Sequence, residues 1–79
     1  MTATTNSTAL KSIMHLEGKT TADIAAALHM TEEAAGKKIA GLTEWRISQM
    51  DAIAALLHMS GREINIVFFP DYAPEAEAR

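Results

Sequence analysis

Thr20 to Gly41, TTADIAAALHMTEEAAGKKIAG, decides how this chain reads. Thr20 stands three residues before Asp23, the spacing at which each side chain can accept from the other residue's orphan amide. Ile24, Ala25 and Leu28 then fall on one helical stripe. His29 and Met30 make a turn. Thr31 caps a second helix, and Glu32 and Glu33 suit the positive N-terminal end of that helix. Ala35 and Ile39 face inward up to about Ala40, and Gly41 supplies the stop. The pattern predicts two short helices joined by a tight turn, at the spacing of a helix-turn-helix.

Upstream, a helix is predicted over 7–17. Asn6 or Ser7 can cap it, Leu10, Ile13 and Met14 share a face, and Gly18 ends it. Downstream, Leu42 to Arg46 reads as a loop carrying Trp45, the single tryptophan. A fourth helix is predicted over 47–58, with Ile47, Met50, Ile53, Ala54 and Leu57 at helical spacing and Ser60-Gly61 as its end. Ile64 to Phe69, INIVFF, is rich in β-branched and aromatic residues and predicts a strand. No second strand is available to pair with it, so the expectation is an antiparallel pairing with the same strand of a second copy. Ile64, Ile66, Val67, Phe68 and Phe69 would form that dimer interface. Residues 70–79, PDYAPEAEAR, predict a disordered tail. No internal repeat is expected.

The chain has 79 residues, which suits one small domain over 1–69. Cysteine is absent, which excludes disulfides and thiolate metal sites. His15, His29 and His58 are too dispersed for a local metal motif, so no metal or cofactor is expected. No Ser/His/Asp set, paired-carboxylate arrangement or Gly-rich phosphate loop stands out, which argues against an enzyme. The N-terminal MTATTNST lacks a basic region followed by an apolar core, and no apolar run approaches a membrane span. The expectation is a cytoplasmic protein. Net charge is −3, and residues 1–69 hold six Lys/Arg against seven Asp/Glu. That balance lacks the basic excess usual in nucleic-acid binders, although a local basic face depends on placement.

Four helices in this order with a late strand resemble the Cro/repressor (XRE-like) class of phage helix-turn-helix regulators. The resemblance covers roughly Leu10 to Phe69. Thr21-Ala22-Asp23-Ile24-Ala25 matches the start of that family's scaffold helix, and Leu28-His29-Met30-Thr31 falls at its Leu-Gly-Ile-Ser turn. Lys37 to Gly41 resembles the basic end of the reading helix, and Trp45 to Ser60 the fourth helix with its aromatic lead-in. The INIVFF ending is similar to short Cro-like forms whose C-terminal strands pair across a dimer. The implied fold is mainly α, a four- to five-helix lambda-repressor-like DNA-binding domain with a short C-terminal β-strand. Departures are His29 at the usual Gly, Thr21 at the usual Gln, and Gly36 in mid-helix, where it costs ~1 kcal/mol against Ala.

The resemblance implies a dimeric, sequence-specific regulator that binds double-stranded operator DNA. Its reading positions fall on Glu32, Glu33, Ala34 and Lys37. Glutamate can accept from cytosine N4, alanine can touch a thymine methyl, and lysine can reach guanine O6 and N7. Thr21, Thr31 and Lys38 would hold phosphates, with Lys19 and Arg46 flanking. The competing expectation is a protein-interaction module on the same scaffold, anti-repressor or antitoxin-like. The acidic balance, Glu32-Glu33 and the missing Gln favour it.

Overall fold

A computed structural model describes residues 5–69; the expected tail at 70–79 lies outside the described residues. The described chain forms five helices: α1 (Ser7–Glu17), α2 (Thr21–Leu28), α3 (Glu32–Ile39), α4 (Ile47–Leu56) and α5 (Gly61–Phe68). No strand occurs among the described residues.

Local chemistry sets most of the helix ends. The Asn6 side chain accepts from Ala9 N at 3.1 Å and starts α1, and Gly18 at φ 69° ends it. Thr20 and Asp23 form the reciprocal capping box, with Thr20 N donating to Asp23 Oδ2 at 2.8 Å and Asp23 N to Thr20 Oγ1 at 3.3 Å. The Thr31 hydroxyl accepts from Ala34 N at 3.1 Å and starts α3. Gly41, at φ 83°, takes the left-handed conformation just past that helix. At α4, Gln49 Oε1 reaches back to the Arg46 amide at 2.9 Å.

The core gathers one stripe from every helix. Leu10 and Met14 of α1, Ile24 and Ala25 of α2, Ala35 and Ile39 of α3, Ile53 of α4, and Val67 and Phe68 of α5 are buried with Trp45 and Leu57. Trp45 meets Phe68 edge-on, ring centroids 5.0 Å apart, a favoured aromatic arrangement. Trp45 is thus a core residue, as its size suggests. Ile47, expected on the inner face of α4, is instead 67% exposed, because it is the first residue of that helix, where the chain enters from the loop.

The segment 64–69 is the main correction. It lies in α5 and its C-terminal cap, not in a strand. Ser60 Oγ accepts from Glu63 N at 3.1 Å, and Glu63 Oε1 accepts from Ser60 N at 2.9 Å. This second reciprocal box nucleates a helix ahead of the apolar run. Ile64, Val67 and Phe68 then fall at i, i+3 and i+4, one helical face. β-propensity in so short a run yields to this context, since much of it reflects packing on a sheet that does not exist here. Ser60 and Gly61, expected to end α4, therefore begin α5. Val67 and Phe68 are buried against their own chain, and Asn6 N donates to Val67 O at 2.8 Å. The dimer interface expected at Ile64, Ile66, Val67, Phe68 and Phe69 loses its strand.

A second correction concerns repeats. Among the described residues other than glycine, two have positive φ, His29 at 58° and His58 at 54°. Each ends a helix, and each is followed by Met and a hydroxyl cap. The sequence around them is Ile24–Met30, IAAALHM, and Ile53–Met59, IAALLHM, identical but for Ala27 against Leu56. The backbone repeats as well. His29 N donates to Ala26 O at 3.3 Å and Met30 N to Ala25 O at 3.0 Å; His58 N donates to Ala55 O at 3.3 Å and Met59 N to Ala54 O at 2.9 Å. α2–α3 and α4–α5 are thus two helix-turn-helix units built on the same turn, 29 residues apart.

Candidate nucleic-acid interface

The first unit is packed into the core. Ile24 is fully buried and Ala25 nearly so, and α2 packs on α3. His29 turns the chain in the left-handed region, φ 58° and ψ 46°, which His tolerates better than most residues. Thr31 then launches α3 with Ala35 and Ile39 buried, which leaves Glu32, Glu33 and Lys37 exposed to solvent.

The residues predicted to contact DNA divide into three groups. Glu32, Glu33 and Lys37 are exposed on α3, and none of them forms an ion pair among the described residues. Ala34 is half-buried beside them. Thr31 is exposed and Thr21 half-buried, at the first ends of α3 and α2. The Thr31 oxygen is occupied as an acceptor by Ala34 N, but its hydroxyl proton remains available to donate.

Lys38 is placed differently. It is half-buried, its Nζ donates to the Glu44 carbonyl, and the ammonium lies 5.8 Å from the centre of the Trp45 ring. Trp45 Nε1 in turn donates to Lys38 O at 3.1 Å. This clamp fastens the end of α3 to the loop before α4. A phosphate contact by Lys38 would have to compete with it. The seven-residue spacing from Lys38 to Trp45 spans the turn at Gly41, so no helical periodicity signals it.

Gly36 sits on α3 between Glu33 and Lys37. A Cβ there would meet nothing within 4 Å, which removes close approach to α2 as the reason for glycine. Among the described residues nothing around it explains the glycine.

Electrostatics around the unit are modest. Hydrogen bonds from the Thr20 amide and then the Thr20 hydroxyl hold the Asp23 carboxyl below its ordinary range, with a smaller contribution from Lys19. His58 Nδ1 lies 3.0 Å from Glu17 Oε1, a hydrogen-bond contact that joins the second turn to the end of α1. Among the described residues no group of three His, Asp or Glu could hold a metal ion, and no helix is long and apolar enough to cross a membrane. No known protein family, curated protein or solved structure matches the chain.

Proposed function

We propose that this protein is a sequence-specific DNA-binding regulator of Cro/repressor type that lays α3 in a major groove of operator DNA. The observation that carries the reading is the geometry at 21–39: an α2–α3 pair with a left-handed turn, a buried Ala25, and Glu32, Glu33 and Lys37 on the outer side of α3. In this role Lys37 reads guanine O6/N7, Ala34 packs on a thymine methyl, and a glutamate accepts from cytosine N4. Thr21 and Thr31 donate to phosphates and set register. The mechanism is occupation of a promoter in the cytoplasm, without a cofactor. Selection of bound sites from random duplex DNA tests it. Enrichment of a short motif that depends on Lys37 is expected; no enrichment at low salt would sink the proposal.

A protein-interaction module of anti-repressor or antitoxin-like kind is the second reading. One observation favours it: Lys38 is engaged by Glu44 and Trp45, while Glu32 and Glu33 stand exposed at the head of α3. That leaves Lys37 to oppose two carboxylates on the outer face.

A further inference from the structure

We infer that α4–α5 stands, inside one chain, where a second molecule would stand, so that the protein acts as a monomer and meets its partner through α3 alone. The role of α3 rests on the function proposed above; the monomer does not.

The same pattern of helix contacts recurs in the two units, although α2 packs on α3 far more extensively than α4 on α5. Within each unit the two helices touch. The first helices of the two units, α2 and α4, meet each other, and α1 touches both second helices, α3 and α5. α3 and α5 do not pack together. A lone helix-turn-helix unit has one apolar face and nothing to cover it. Here each unit covers the other: Ile24 and its counterpart Ile53 are both fully buried, as nearly are Ile39 and Phe68.

The outer faces have diverged. At the positions of Lys37 and Lys38 the second unit carries Ile66 and Val67, and Val67 is fully buried. Glu32 and Glu33 correspond to Gly61 and Arg62. Of the two charges on α5, Glu63 is held in the capping box with Ser60, which leaves Arg62 as the outward charge. The second unit has exchanged a polar face for packing on α1, fixed by Asn6 N to Val67 O.

The divergence of α5 leaves one polar reading helix in the chain, where a dimer offers two, one per half-site. The partner that fits one such helix is one half-site of duplex DNA.

Sedimentation equilibrium of the full chain, alone and with the best duplex from the random-site selection, is the test. The expected mass is that of one chain, 8.5 kDa, at all concentrations, with one chain on one half-site when DNA is added. A dimer without DNA would overturn the inference, whatever the DNA result. A monomer that binds no duplex would uphold the in-chain second unit and defeat the function proposed above. On the DNA, Lys37→Glu is expected to weaken binding about tenfold or more, and Arg62→Glu to leave it unchanged. Equal losses from both would contradict contact through α3 alone.

Discussion

Ser60→Ala is the most discriminating single change in the fold. It removes the hydroxyl that accepts from Glu63 N at 3.1 Å and leaves the Ser60 amide still donating to Glu63 Oε1. One half of the capping box is lost, and both groups are solvent-exposed, so the expected loss is about 1 kcal/mol. The described chain of 65 residues should have a total stability of roughly 3–10 kcal/mol. A loss of that size lowers the melting temperature by about 4–8 °C. Two probes can follow it: far-UV circular dichroism reports helix, and Trp45 fluorescence reports the contact of that ring with Phe68 at the far end of α5. Thr31→Ala, which removes the equivalent cap of α3, serves as the internal standard. A strand at 64–69 would have no use for a cap at Ser60. Loss from Thr31→Ala together with an unchanged melting temperature in Ser60→Ala would refute the helical assignment of α5.

Three further outcomes follow from particular contacts. Gly36→Ala should stabilise the fold by ~1 kcal/mol, since a methyl meets open space and helix propensity rises; a loss in urea titration would show that the helix needs glycine for reasons within the chain. Lys38→Ala should lower stability by more than it weakens DNA binding, because the clamp to Glu44 and Trp45 goes with the ammonium; binding loss without destabilisation would return Lys38 to the phosphate contacts. Asp23→Asn should flatten the acid limb of stability. The folded carboxyl titrates below its ordinary 3.8, so its contribution is complete above that pH and fades as pH falls through the lower folded value. Identical acid limbs for the wild type and Asp23→Asn would contradict this.

The first three helices were legible because their caps are short-range and chemical. Asn6, Thr20 with Asp23, and Thr31 each accept from an amide three residues on, a pattern visible in the chain without knowledge of its neighbours. The same logic was present at Ser60 and Glu63. It was outweighed by the composition of INIVFF, where a helical stripe of Ile64, Val67 and Phe68 coincides with residues that favour strands. The repeat of IAAALHM as IAALLHM was equally on the surface of the sequence, but it is short, and the helices after the two turns share almost no residues. Their equivalence appears in backbone geometry, in two histidines at φ near 55°. The clamp between Lys38 and Trp45 depends on how the loop after Gly41 folds back, a tertiary fact that no spacing encodes. At the candidate site the exposure of Glu32, Glu33 and Lys37 followed from the burial of Ala35 and Ile39 on the opposite stripe.

The central claim is that α3 reads the bases of DNA through Lys37. Affinity for the best selected duplex, titrated against salt for the wild type and Lys37→Ala, tests it most directly. Binding that weakens steeply with salt is expected, and Lys37→Ala should cost about 1–3 kcal/mol and relax the base preference at one position of the site. No binding at low salt, or the same affinity in both proteins, would contradict the account.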